Sequence, residues 1–395
     1  MMLGYLLARA GVDVLVLEKH SDFLRDFRGD TIHPSTLELM HELGLLDEFL
    51  SRPHQTLSQL AGQIGNETIP LADFSHLPTK CKFLAFMPQW HFLNFLAEHA
   101  RKYPTFSLWM EAEVTDLLQA NEKIHGVVVK TPTKRVQVTA DLIVGADGRH
   151  SIVRERAGLK VEDLGAPIDV LWFRISRQPD DPTQVLGRFV GGKIMVMLNR
   201  DEYWQCGYVI PKGSTEKLKK RGLESFRDDI LSIAPFLQGR ASEIADWDQV
   251  KLLTVKVDRL RQWYRPGLLC IGDAAHAMSP VGGVGINLAI QDAVATANIL
   301  TNQLREKTVS EKDLAQIQRR RLFPTRVTQA AQVFIQKRVL SPILGSNQNV
   351  TVPFVLRLFK HFPFLRRIPA RLVGIGVRAE HIKTRDGFTA TDMHR

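Results

Sequence analysis

The stretch of this 395-residue chain that most suggests chemistry is GLLCIGDAAHAMSPVGGVGINLAIQDAVATANIL, which begins at Gly267. A strand ending at Gly272-Asp273 puts the Asp273 carboxylate at its carboxyl end, the ligand-facing edge of an open α/β sheet. Pro280 fixes the loop that follows. Gly282, Gly283 and Gly285 then let backbone amides approach a flat or anionic ligand at the N-terminus of the next helix. A second apolar run, LIVGADGRHSIVRERAG, reaches Asp147-Gly148 and passes through Ser151 into a helix bearing Arg154. A third acid, Glu18, ends a β-branched run. A carboxylate there can accept both hydroxyls of a ribose, with a solvated acid at a strand end as an equal alternative.

The elements that must hold these residues can be read from periodicity. MMLGYLLARAGVDVLVLEKH gives an amphipathic helix closed by Gly11 and then a strand, the second half of a β-α-β unit. HPSTLELMHELGLL predicts a helix opening at Pro34 and closing at Gly44, and QWHFLNFLAEHARKY another. Phe106 to Val144 is strand-rich around a polar turn at Thr131 to Lys134. Residues 168 to 211 carry several short strands, followed by one helix near 215 to 232. This middle block reads as a mainly antiparallel layer inserted between α/β parts. A helix from Gly285 to about Leu304 and a long helical stretch around Pro324 follow.

Composition narrows the classes. The chain is 44% apolar and 24% charged, which is ordinary for a globular protein with a sizeable core. It has neither a membrane-span run nor a leader pattern, so the expected location is the cytoplasm. Cys81, Cys206 and Cys270 are few and far apart, which indicates neither a disulfide framework nor a metal site. The formal net charge of +10 admits an anionic partner. No nucleic-acid reader motif accompanies it, so nucleic acid is not expected. From Thr351 onward nine Lys or Arg face three Asp or Glu among apolar residues. That region reads either as helices packed on the body or as a weak contact with an anionic membrane surface.

The Asp147-Gly148 pair together with the distant GDAAH...P..G.G.N motif resembles the class A FAD-dependent aromatic monooxygenases of the para-hydroxybenzoate hydroxylase type. The resemblance covers nearly the whole chain. It implies an α/β fold: a Rossmann-like FAD-binding domain, an inserted mainly antiparallel β substrate domain, and C-terminal helices. Residues 1–80 and 81–165 would be the first two FAD-binding parts, 166–255 the substrate layer, 256–305 the third FAD-binding part and 306–395 the C-terminal helices. The family's first strand and GxGxxG loop do not precede Met1, so the first FAD-binding part is expected to be truncated.

By the same resemblance, Glu18 and Lys19 correspond to the pair near the adenosine ribose, Arg28 to an arginine facing the pyrophosphate and Gln89 to a ribityl-side contact. Asp147 and Gly148 match a motif serving both FAD and the nicotinamide cofactor, and Asp273 a ribityl partner. Pro280, Gly283, Gly285, Ile286 and Asn287 match the loop beside the isoalloxazine ring. His276 is read as structural, and no catalytic acid or base is assigned.

The implied reaction is hydroxylation of an aromatic or related electron-rich small molecule. It uses FAD, NADH or NADPH as transient reductant, and dioxygen through a flavin C4a-hydroperoxide. Alternatives are a flavin-dependent reductase or dehydrogenase of the same fold, and a flavin-free binding protein. A halogenase is disfavoured because Trp204 and Ile210-Pro211 lack that class's spacing. Tyr203, Trp204 and Tyr208 either line a substrate pocket or fill the core between layers, strand alternation favouring the core.

Overall fold

The computed structural model describes residues 1–24, 31–65, 67–182, 187–344 and 354–388. The half of the structure outside the inserted layer is built from short parallel pairs. Val14–Leu17 pairs in parallel with Phe106–Trp109, and Ile143–Gly145 with Leu268–Cys270. Their residues are mostly aliphatic or aromatic because helices cover them. The helix Met2–Arg9 lies on the strand Val14–Leu17 at Gly4, where a β-carbon would stand 2.7 Å from Val16 Cγ2. The helices Met2–Arg9, Gln89–Ala100 and Gly285–Arg305 enclose one large apolar core with Leu6, Phe92, Phe95, Leu269 and Val294. A three-stranded antiparallel sheet, Glu113–Ala120, Lys123–Lys130 and Arg135–Thr139, carries the expected turn, where Thr131 N–H donates to the Lys134 carbonyl at 2.9 Å.

The inserted layer is a seven-stranded sheet in the order Lys251–Leu253, Ile168–Ser176, Tyr203–Pro211, Lys193–Asn199, Gly187–Val190, Gln59–Ile64, Glu67–Asp73. Its last two strands come from the N-terminal part of the chain. They join through a parallel pairing of Gly187–Val190 with Gln59–Ile64, the single parallel contact in an otherwise antiparallel sheet. The helix expected near 215–232 is two helices, Thr215–Lys220 and Leu223–Ile233. Gly222 separates them at φ 89°, a left-handed position that stops the first helix.

The long helix Glu311–Ile335 opens on a capping box of Ser310 and Asp313. Two shorter helices, Phe354–His361 and Arg367–Gly374, follow. From Glu380 to Phe388 the chain is not helical and runs back over the half built from parallel pairs. Ile382 N–H donates to Glu42, Lys383 N–H to Asn298, and Tyr103 Oη to Asp386. Among the described residues, no helix is long and apolar enough to cross a membrane.

Candidate functional site

The parallel pair Ile143–Gly145 and Leu268–Cys270 brings the two acidic motifs side by side, because both strands point their carboxyl ends the same way. Beyond one lie Asp147 and Gly148, beyond the other the tight turn Gly272–Ala274. Arg149 Nη2 stands 3.8 Å from Asp273 Oδ2, so the two loops share a charge contact. Arg154 adds a second tie, donating from Nη1 to the Ala274 carbonyl at 3.3 Å and lying 3.6 Å from Asp258. Asp147 accepts from Val153 N–H at 3.1 Å and Ser151 from Arg154 N–H at 3.0 Å; together they cap the helix Ile152–Arg156.

The glycine loop meets this edge from the other side. Pro280 leads a turn at Val281–Gly283, and Gly285 is the first residue of Gly285–Arg305. Gly283 has φ 62°, and a β-carbon there would stand 2.9 Å from Thr31 Oγ1, so the close approach to Thr31 requires glycine. Asn287 holds the arrangement. Its Oδ1 accepts from His33 N–H at 3.0 Å and from Thr36 Oγ1 at 2.7 Å. Its Nδ2 donates to the carbonyls of Thr31 at 3.0 Å and Gly283 at 3.3 Å. Those four bonds fill the amide's capacity, so the side chain is a staple between the loop, the helix and the segment at Thr31. Ile286 is half-buried beside it.

The remaining expected residues are spread more widely. Glu18 ends the strand Val14–Leu17 and accepts from His20 N–H at 3.0 Å. Burial pushes the Met1 α-amino pKa below its usual range, with Glu18 opposing the shift, so acid and amine lie close together. Lys19 is exposed, and Gln89 is the half-buried first residue of Gln89–Ala100. Arg28 lies outside the described residues.

Behind the site is a buried ionic chain that the sequence reading did not identify. Asp292 Oδ2 accepts from Gly272 N–H at 3.0 Å and lies 2.6 Å from His276 Nε2, and Asp292 Oδ1 accepts from Arg321 Nε at 2.9 Å. Arg321 reaches Glu380 at 3.3 Å, and Arg320 grips the same carboxylate through Nε and Nη2. Burial pushes the Asp292 pKa up, but the contacts with His276 and Arg321 outweigh it and hold the carboxyl below its usual range. His276 packs against Trp263 with ring centroids 4.9 Å apart. His276 is thus sequestered, and the chain ties the Gly272 strand end to the tail at Glu380. The only sequence hint was that Asp292 lies seven residues after Gly285, on the same helix face.

The site suits FAD on its own geometry. The β-carbon position of Gly148 is open, with no atom within 4 Å, and that of Gly285 meets nothing closer than Met278 Cβ at 3.6 Å. Bare backbone at a helix N-terminus beside a carboxylate acceptor matches a flavin's flat ring and its hydroxylated side chain.

The chain resembles known proteins along most of its length. Residues 1–331 match the family described as FAD binding domain. A 6-methylpretetramide 4-monooxygenase of Streptomyces rimosus is 31% identical over 372 residues, covering 94% of this chain and 88% of that protein. An uncharacterized aromatic compound monooxygenase of Bacillus subtilis (strain 168) is 28% identical over 74% of this chain, which spans 57% of that relative's length. Among solved structures, the p-nitrophenol 4-monooxygenase of Pseudomonas putida DLL-E4 superposes with a TM-score of 0.75 at 21% identity, covering 95% of each chain.

Proposed function

The chain belongs to the FAD-binding-domain family and is an FAD-dependent monooxygenase; from that premise we propose that it hydroxylates a small aromatic or related electron-rich molecule, with NAD(P)H as reductant and dioxygen as co-substrate. The observation that carries this is the meeting of the Asp147-Gly148 and Gly272-Asp273 strand ends with the open glycine loop at Gly285. Bound FAD supplies the redox and oxygen chemistry.

The chain's own residues bind and orient. In this reading Glu18 and Lys19 hold the adenosine ribose, Arg28 the pyrophosphate and Gln89 a ribityl hydroxyl. Asp273 accepts from the ribityl chain, with Arg149 beside that carboxylate. The backbone of Gly283, Gly285 and Ile286 lies against the ring, and the start of the helix Gly285–Arg305 favours negative charge there. Asn287 positions that backbone. The substrate lies against the sheet face bearing Trp172, Gly207 and Val209, which excludes water. Trp172 and Val209 belong to the same apolar cluster as Val281 of the glycine loop.

A cytoplasmic location, where NAD(P)H is available, and a contact of the basic C-terminal region with a membrane surface complete the proposal. The test is to load the full chain with FAD and supply NAD(P)H, candidate phenols and labelled dioxygen. Label in the product supports the reading. Flavin retention with substrate oxidised but unlabelled points to a dehydrogenase, and failure to retain flavin overturns both.

A further inference from the structure

From Leu314 to Ala379 the chain runs 66 residues without one Asp or Glu and carries 12 Lys or Arg. The other 329 residues hold 40 basic and 42 acidic residues, so the whole net positive charge originates in this segment. Part of it is used internally, through Arg320 and Arg321 on Glu380. Much of the rest faces solvent alongside apolar side chains that also face solvent.

The turn Pro363–Arg366 runs directly into the helix Arg367–Gly374. Phe364, Ile368 and Leu372, spaced four apart, form a row 60%, 59% and 51% exposed. Arg367 and Arg371 are exposed along the same row. The opposite face of the helix is the one that packs on the body, through the fully buried Ala370 and through Gly374, whose β-carbon would stand 2.7 Å from Leu77. On the neighbouring helix Glu311–Ile335, Phe323 and Phe334 are exposed as well, 57% and 62%, with Arg326 between them. Thr328 of that helix and Leu372 line one small cavity, so the two helices come near each other there. Among the described residues no carboxylate forms an ion pair with Arg326, Arg367 or Arg371.

Single exposed apolar residues are ordinary, but a row of them interleaved with arginines that have no carboxylate partner marks an interaction surface. We propose that the face formed by Phe364, Arg367, Ile368, Arg371 and Leu372 docks on an anionic lipid bilayer. A bilayer supplies both halves of the match at the same depth: acyl chains for the apolar row and headgroup phosphates for the guanidinium groups, whose stems reach upward from the apolar boundary. A second copy of the chain would set two acid-free, strongly basic faces together, which like-charge repulsion opposes. Docking would place the enzyme where apolar substrates partition, and it stands independently of the flavin chemistry.

The test uses the full chain in co-sedimentation with vesicles of phosphatidylserine and phosphatidylcholine, against vesicles of phosphatidylcholine alone. The expected result is binding to the anionic vesicles only, weakened by high salt. Each basic residue near such a surface contributes about fivefold in partitioning, so Arg367→Glu with Arg371→Glu should lower binding roughly a hundredfold or more. Ile368→Ser with Leu372→Ser should lower it by about tenfold or more. All four side chains are exposed, so the melting midpoint and flavin content should stay at wild-type values, which separates loss of docking from loss of the fold. Wild-type chain remaining in the supernatant with anionic vesicles at low salt overturns the proposal and assigns the face to an acidic protein. Binding unchanged in both variants also overturns it. So does concentration-dependent dimerisation of the wild type that the Ile368→Ser/Leu372→Ser variant abolishes, which would make a second copy the occupant.

Discussion

Replacing Arg321 with methionine tests whether the buried ionic chain holds the cofactor edge in place. Arg321 is 1% exposed, and its partners Asp292 and Glu380 are 0% and 1% exposed. Methionine keeps most of the stem's volume, so the change removes charge with little cavity. Removing one partner of a buried pair usually costs about 3–5 kcal/mol, because the other charge stays buried without compensation. Both acids keep other partners here: Asp292 retains His276 and Gly272 N–H, and Glu380 retains the two-pronged grip of Arg320. The expected loss therefore lies at the low end, about 3 kcal/mol.

Urea unfolding of the flavin-loaded chain at neutral pH, followed by far-ultraviolet circular dichroism, measures it. Asp292→Leu combined with Arg321→Met removes the charges on both sides, so it should cost clearly less than the sum of the single changes, with a coupling of roughly 1–3 kcal/mol. Because Asp292 also accepts from Gly272 N–H next to Asp273, Arg321→Met should weaken FAD binding severalfold. An Arg321→Met variant as stable as wild type, or strict additivity in the cycle, would refute the reasoning.

Asp273→Ala should weaken FAD binding by about 1.5–3 kcal/mol, roughly ten- to hundredfold in Kd, the range for a hydrogen bond to a charged acceptor; unchanged Kd in fluorescence titration would remove Asp273 from the site. Asn287→Leu leaves the partners of four hydrogen bonds unsatisfied at once and should cost at least about 3 kcal/mol in urea unfolding, with a loss below 1 kcal/mol contradicting the staple role. His33 is held at a pKa of about 4 by burial, against backbone contacts that raise it. The unfolded chain therefore binds the extra proton first, so stability should fall as pH drops below about 6.5 and level off near 4, by about 3 kcal/mol in all. Most of the slope should be lost in His33→Gln, with a remainder from His91 and His99, whose values burial also lowers, and an undiminished slope would assign the titration elsewhere.

The parts of the site legible in the sequence were those encoded locally. Asp147-Gly148 and Gly272-Asp273 stand out because a strand must end where its carboxyl edge faces a ligand, and the glycines of 282–285 because a β-carbon at Gly283 would strike Thr31. The parts that escaped depend on contacts between distant segments. Arg321 reaches Asp292 from 29 residues away and Glu380 reaches Arg321 from 59, and no spacing rule singles them out. The tail at Glu380 to Phe388 falls within the expected C-terminal helices, yet it is not helical and ties together segments from distant parts of the chain through Glu42, Asn298 and Tyr103. The strands Gln59–Ile64 and Glu67–Asp73 join a sheet whose other members begin a hundred residues later, a pairing that strand periodicity leaves open.

The sheet shows how one periodicity sorts two jobs along a single strand. In Tyr203–Pro211 the side chains alternate between faces, and Trp204, Cys206, Tyr208 and Ile210 fall into the cluster under the helix Leu223–Ile233. Tyr208 and Phe226 meet edge to face at 5.4 Å, and Trp204 donates to the buried Asp181 at 2.7 Å, so both aromatics are core. The alternate positions, Gln205, Gly207 and Val209, necessarily look the other way, and Val209 shares its cluster with Val281 of the glycine loop. On that face the indole of Trp172 covers Gly207 so closely that a β-carbon there would stand 3.1 Å from the ring. The large aromatics that drew attention in this strand therefore build the wall from behind. The face turned toward Val281 of the glycine loop is formed by the least conspicuous residues of this strand and by a tryptophan from the neighbouring strand.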